Sequence, residues 1–140
     1  MTNETSFSHA DSQGVQSLWR HVRFEDDCPT LSRFAGELVR PVVGRSIMIA
    51  QVHMDPFCIE ESAVTRAETI IVGCDGTMQA LVEDDTVTLA PGEVLILPAG
   101  TRYSFRSGAA PCTRLDVLSP PDVEIIEEGL HQEHAQHGFE

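Results

Sequence analysis

Few side chains in this sequence are equipped for chemistry. There is no lysine, and all nine cations are Arg. Schiff-base formation, a phosphate-loop lysine and a lysine base are therefore excluded. Between residues 22 and 130 the only histidine is His53. It shares one face of a strand-like run with Gln51, because side chains alternate along a strand. Turned inward, that face would make His53 a general acid or base; turned outward, His53 is a structural hydrogen-bonder. Glu68 stands just before the apolar run Thr69 to Val72, either as a pocket carboxylate or as a rim residue paired with Arg66. Tyr103 offers a phenol that can donate to an oxyanion or act as an acid. Asp116 and Arg114 occupy the same strand face, the spacing of a cross-face ion pair. Cys28, Cys58, Cys74 and Cys112 form no C-x-x-C pair and read as reduced, mostly buried thiols.

The elements that must position these groups are mostly strands. Ser46 to Met54 is rich in β-branched residues and ends at Asp55-Pro56. Thr69 to Val72, Thr77 to Val82 and Thr86 to Leu89 follow, separated by Gly73 to Gly76 and by Glu83-Asp84-Asp85. Pro91-Gly92 leads into Val94 to Leu97, a continuous apolar run expected to be buried on both faces. Pro98-Ala-Gly100 turns the chain into Tyr103 to Phe105, and Thr113 to Leu118 is the last strand before Pro120-Pro121. Short strands with turn signals every eight to twelve residues predict a sandwich or barrel. Upstream, Pro29 is expected to open a short helix with Leu31, Phe34 and Leu38 on one side.

Gly92, Pro98, Gly100 and Tyr103 have the spacing of the second cupin motif, whose last position is usually His. Ser46 to Met54 with Asp55-Pro56, then Glu68, Ile70-Ile71-Val72 and Gly76, resembles the first motif and the strand leading into it. Leu115 to Pro121 resembles the closing strand of many small cupins. The resemblance spans about residues 40 to 121. It implies a double-stranded β-helix, a small barrel with one open end and a pocket inside.

The resemblance also implies roles. Metal-dependent cupins place two His before the glutamate and a third at the end of the second motif. Those slots here hold Ser62 and Val64, or Glu61 and Ala63 in the alternative register, and then Tyr103. No resident metal and no cofactor is expected on that ground. A relocated triad of His53, Glu68 and Glu60 or Glu61 is the remaining metal reading. Small cupins acting on unsaturated uronates carry a proton-transferring aspartate at the position of Asp116; their following Arg is Asp122 here, so that substrate class does not carry over. Arg66 and Arg102 fall near the implied barrel mouth and would orient an anionic ligand.

The expected fold is thus all-β, a cupin barrel over residues 18–121. Residues 1–17 form a polar N-terminus, and 122–140 a short helix or acidic tail carrying His131, His134 and His137. Asp116, Tyr103, Glu68 and His53 are the expected catalytic residues, with Gln51, Arg66, Arg102, Ser62 and Val64 lining the substrate pocket. The expected function is metal-independent proton transfer on a small carbonyl-containing, polyketide-like metabolite: isomerisation, cyclisation or dehydration. A non-catalytic small-molecule binder is the alternative. With 22 acids against nine cations and a formal charge of −13, nucleic acid and acidic membranes are disfavoured as partners. The polar N-terminus and the cysteine usage suggest a cytoplasmic protein. The resemblance implies a homodimer paired through strand edges.

Overall fold

The computed structural model describes residues 19–122. A single helical turn, α1 (Phe24–Asp27), precedes nine strands: β1 (Glu37–Val43), β2 (Met48–Met54), β3 (Ala63–Val64), β4 (Glu68–Asp75), β5 (Met78–Val82), β6 (Asp85–Leu89), β7 (Val94–Leu97), β8 (Arg102–Ser107) and β9 (Cys112–Ser119). They form a five-stranded sheet ordered β1-β2-β9-β4-β7 and a four-stranded sheet ordered β3-β8-β5-β6, with every pairing antiparallel. Among the described residues no helix is long and apolar enough to cross a membrane. The two sheets curl over one core that includes Met48, Val52, Met54, Ile71, Met78, Leu89, Leu97 and Phe105.

The strands begin and end where the turn residues require. Gly76 closes the β4–β5 turn at φ +68°, and the Pro111 and Cys112 backbone lies where a side chain would project, so only glycine fits. A bulge at Gly73 to Asp75 shifts the β4–β9 register. The helix expected from Pro29 is absent. Leu31 instead bridges Val39, with reciprocal backbone hydrogen bonds of 2.8 Å, and Leu38 belongs to β1. Pairing to β2 overrides the weak local preference of that short segment, and Pro41 is tolerated because β1 is an edge strand. The C-terminal helix or tail, with its three histidines, lies outside the described residues.

The five-stranded sheet has an outer face of unusual composition. Its registers align Val42, Ile49, Val117, Ile70 and Ile96 in one row across all five strands, and Arg40, Gln51, Leu115, Val72 and Val94 in the next. Arg20, His21, Val22 and Phe24 border a surface recess with Val42 and Ile49 at the β1–β2 end, where Arg20 Nη2 donates to the Val43 carbonyl at 2.7 Å. At the other end Val94 and Ile96 remain 51% and 64% exposed.

Candidate functional site

The barrel interior is partly ionic. β9 turns Cys112, Arg114, Asp116 and Leu118 inward by strand alternation. Arg114 is only 1% exposed. Its Nε donates to Asp116 Oδ1 at 2.8 Å, and Nη2 reaches the two Glu60 oxygens at 3.0 and 3.2 Å. The guanidinium carbon lies 4.1 Å from the centre of the Phe105 ring. A buried cation survives when its donors are satisfied and its charge is matched, and the aromatic face adds attraction. Burial alone would lower the Arg114 pKa; Asp116 and Glu60 outweigh it and hold the side chain charged.

A second pair joins the first. Arg33, in the loop before β1, forks onto Glu37 through Nε at 3.1 Å and Nη2 at 2.6 Å. Glu37 in turn shares a hydrogen bond with Glu60. The interior therefore holds a continuous series, Arg33, Glu37, Glu60, Arg114, Asp116. Three carboxyl groups face two guanidinium groups, so retaining one proton makes the cluster neutral. Burial pushes Glu60 up to about 8; Arg114 opposes the rise, and the hydrogen bond to Glu37 and its charge reinforce it. Burial would raise Glu37 too, but the hydrogen bond from Glu60 and the charge of Arg33 bring it below the usual carboxylate range. Burial and the neighbouring Glu37 thus favour the protonated form of Glu60, and Arg33 favours the ionised form of Glu37.

Glu60 and Arg33 are where this cluster meets solvent-accessible space. A recess of ≈ 250 Å³ is lined by Arg33, Phe34, Glu60, Glu61, Ser62, Ala63 and Tyr103. A second recess of ≈ 380 Å³ shares Arg33, Ser62, Ala63 and Tyr103 with the first and extends over Val64, Thr65, Arg66 and Asp122. Tyr103 stands edge-on to Phe105, with ring centres 6.0 Å apart. Burial, then the charge of Asp116, pushes its phenol up to about 12, so it stays a hydrogen-bond donor at neutral pH.

The structure gathers some of the residues expected from sequence and disperses others. Tyr103, Ser62, Val64 and Arg66 line the recesses. Arg66 is bound to Asp122 at 3.2 Å. Asp116 faces inward, as one arm of the Arg114 cluster, and the pair with Arg114 is buried. Gln51 and His53 do not look inward. Met48, Ala50, Val52 and Met54 take the core side of β2, which leaves the alternate positions on the outer face. His53 there contacts Thr113 Oγ1 at 3.1 Å and lies 3.6 Å from Asp55. Glu68 begins β4 exposed, opposite Ser119, because Thr69 and Ile71 take the inward positions. Arg102 is exposed at the start of β8, its backbone N–H on Glu83.

Two members of the ionic series, Arg33 and Glu37, were not among the expected site residues, and Glu60 was expected only as a ligand of a relocated metal triad. Glu60 follows Cys58 and Ile59 in an extended segment that bridges Arg106, and its N–H bonds the Phe105 carbonyl at 3.0 Å. Alternation puts Cys58 and Glu60 inside and leaves Ile59 65% exposed. A hydrophobicity pattern would place Ile59 in and Glu60 out. The signal that does exist is phase: Glu37 is in step with Val39 and Pro41, and Glu60 with Cys58.

The residues present do not suit the metal that the fold often carries. The family's slots hold Ser62, Val64, Glu68 and Tyr103, of which Glu68 points away from the recesses. Among the described residues no group of three or more His, Cys, Asp or Glu converges as ligands. The inward carboxylates are already engaged by guanidinium groups, whose charge would repel a cation. Cys58, a neighbour of Glu60 and Glu37, is pushed up to about 11 by burial and those acids, and remains a thiol.

No family model matches the chain, and no curated protein sequence matches it. Solved structures do. KdgF from Halomonas sp. aligns with a TM-score of 0.64 at 15% identity, over 69% of this chain and 92% of its own. An RmlC-like cupin from Shewanella frigidimarina gives 0.68 at 13% identity, over 76% and 96%. The polyketide cyclase RemF from Streptomyces resistomycificus gives 0.66 at 18%, over 75% and 83%. Likeness at such low identity carries the backbone and not the chemistry, and what it establishes, together with the two-sheet barrel and its motif spacing, is that this chain has the fold of a small single-domain cupin.

Proposed function

We propose that the protein is a metal-independent proton-transfer enzyme acting on a small carbonyl compound, with Glu60 as the group that moves the proton. One observation carries this reading: among the described residues Glu60 is the carboxyl group that lines a recess and has its pKa raised to about 8. Near neutral pH such a group exists in both forms, the condition under which one side chain can accept a proton and return it. Tyr103 is suited to donate a hydrogen bond to the carbonyl oxygen and to hold the enolate that forms as the adjacent C–H is deprotonated. Arg33 lines both recesses and can bind a second oxygen of the ligand. Returning the proton to another carbon is isomerisation; delivering it to a departing hydroxyl is dehydration. Asp116, expected from sequence to move the proton, serves in this reading to anchor Arg114 and keep Tyr103 protonated. That RemF, of the same fold, is a polyketide cyclase is consistent with carbonyl chemistry in such a barrel.

The test is exchange of the acidic C–H protons of a panel of small ketones and β-dicarbonyl compounds with deuterated water, followed by NMR. Wild-type protein should accelerate exchange of at least one compound, and Glu60→Gln should reduce that acceleration by about a hundredfold or more, the scale of losing general acid–base catalysis. Saturable binding without exchange would make the protein a binding module and overturn the enzymatic reading.

A further inference from the structure

We infer that Ser107 is a positioning residue for Glu60: its hydroxyl fastens the segment from Asp55 to Glu60 onto β8, so that the Glu60 carboxyl group meets both its ionic neighbours and the recess. The inference rests on the reading of Glu60 as the group that moves the proton. β8 lies between β3 and β5, but β3 pairs only with Arg102 and Tyr103. From Phe105 onward that edge of β8 is open to another segment, because an uncovered edge presents unpaired N–H and C=O groups. Residues 57 to 60 cover it. Ile59 bridges Arg106, and the Glu60 N–H bonds the Phe105 carbonyl at 3.0 Å. The Ser107 N–H bonds the Cys58 carbonyl at 3.0 Å, and the Phe57 N–H bonds the Gly108 carbonyl at 2.8 Å.

Backbone pairing of this kind is open to almost any sequence, whereas the Ser107 side chain is a choice. Its hydroxyl donates to the Asp55 carbonyl at 2.5 Å and accepts the Cys58 N–H at 2.8 Å, so one oxygen closes both ends of the turn. Ser107 is buried, and without its hydroxyl both backbone groups would lose a partner where little water can replace it. The turn that it closes is strained. Phe57 is held at φ +59°, a left-handed conformation that a bulky residue rarely adopts. Such conformations persist only where the surroundings enforce them, and they gather at functional sites. Beyond Phe57, alternation turns Cys58 and Glu60 inward and Ile59 outward. β8 carries other parts of the site on the same face. Tyr103, Phe105 and Ser107 alternate along it, with Tyr103 lining the recesses and Phe105 against the Arg114 guanidinium. One strand thus sets the phenol, the aromatic partner of the buried cation and, through Ser107, the carboxyl group. Ser107 lines neither recess, so its effect on the chemistry passes through Glu60.

Carbon-13 NMR of the side-chain carboxyl groups in the full chain, with Glu60 assigned by comparison with Glu60→Gln, tests this without a substrate. In the wild type the Glu60 resonance should titrate with a midpoint near 8. Ser107→Ala removes the hydroxyl, and Ser107→Cys keeps the side-chain volume with a much weaker hydrogen-bonding group. Each should lower the midpoint by at least about one pH unit, as water reaches a loosened Glu60. Each should also slow catalysed deuterium exchange by about tenfold or more, the consequence of a misplaced proton carrier. Ser107→Thr, which restores the hydroxyl, should return both readouts towards wild type. Leu89→Val, a core substitution on β6, should destabilise the barrel and leave the midpoint in place. Circular dichroism establishes that each variant is folded, and Ser107→Cys carries the test if Ser107→Ala is not. A wild-type midpoint near 8 that does not move in the folded Ser107 variants overturns the positioning role alone. So does an equal fall in Leu89→Val, or a fall that Ser107→Thr fails to reverse. A wild-type midpoint in the ordinary carboxylate range overturns the proposed function, and the role of Ser107 with it.

Discussion

On β9 the two faces of the five-stranded sheet partly invert the usual distribution of polarity. On β9 the inward positions include Arg114 and Asp116, and the outward ones include Leu115 and Val117. The same reversal occurs where Glu60 turns in and Ile59 turns out. Each side has its own physical solution. Inside, charges removed from water are matched in a series of five side chains that retains one proton. Outside, apolar side chains such as Val94 and Ile96 are left where water can reach them. The comparison teaches that the barrel has exchanged part of its hydrophobic core for a polar site, and that apolar surface has moved outward.

The sharpest way to break the comparison is to remove the cation at its centre. Arg114→Met should destabilise the protein by about 3–5 kcal/mol in urea unfolding, because Glu60 and Asp116 would be left buried without their partner. A single charge placed outside at Ile96 should leave the unfolding of the monomer within about 0.5 kcal/mol. Similar losses from both substitutions would mean that the interior cluster is no more than surface.

Next in size is Tyr103→Phe. If Tyr103 holds a developing oxyanion, its loss should cost about 2.7–4 kcal/mol in the barrier, or roughly 10²–10³ in rate. Stability should change by little more than about 1 kcal/mol, since Phe fills nearly the same space. Unchanged turnover of an identified substrate would remove Tyr103 from the chemistry.

The retained proton predicts a pH dependence. The folded pKa of Glu60, about 8, lies above its ordinary value of 4.5. Between those values the folded state keeps a proton that the unfolded chain has lost. The Glu60 contribution to stability is therefore full at low pH, falls as pH rises from about 4.5 to about 8, and is flat above. The slope should approach 1 kcal/mol per pH unit, and Glu60→Gln should flatten it. Glu37 acts in the opposite sense and in a lower window: its lowered pKa adds stability that is lost as pH falls below 4.5. Unfolding midpoints measured from pH 4 to 9 for both proteins check the sign.

The smallest effect is expected at His53. On the outer face it has a single short contact, to Thr113. His53→Ala should change stability by about 1 kcal/mol or less and leave proton exchange unaltered. A large loss of exchange would put a catalytic group on the wrong side of the sheet.

Much of the scaffold was readable in the sequence. Turn residues at Gly76, Pro91-Gly92 and Pro98 to Gly100 bracket β-branched runs, and the resulting strands agree with β2 and with β4 to β9 nearly throughout. The exceptions are β1, whose Leu38 was read as helical although it pairs with His53 fifteen residues away, and the two-residue β3. The site was less legible. Tyr103, Ser62, Val64 and Arg66 came from motif spacing, which records how a hairpin re-aims the chain. Gln51, His53 and Glu68, expected in the site, face outward, because alternation states which residues share a face and the packing of the two sheets decides which face looks in.

The amino-acid sequence by itself therefore determined the strand-and-turn order, the absence of lysine chemistry and the lack of the family's histidines, since these depend on local backbone preference and residue identity. Tertiary structure alone decided that Glu37, Glu60 and Asp116 converge on Arg33 and Arg114. Those residues lie on β1, on the segment after Cys58 and on β9, and their pairing needs a closed barrel that excludes water. Only there does a carboxyl group lose enough solvation, and gain a close enough neighbour, to keep its proton near neutral pH.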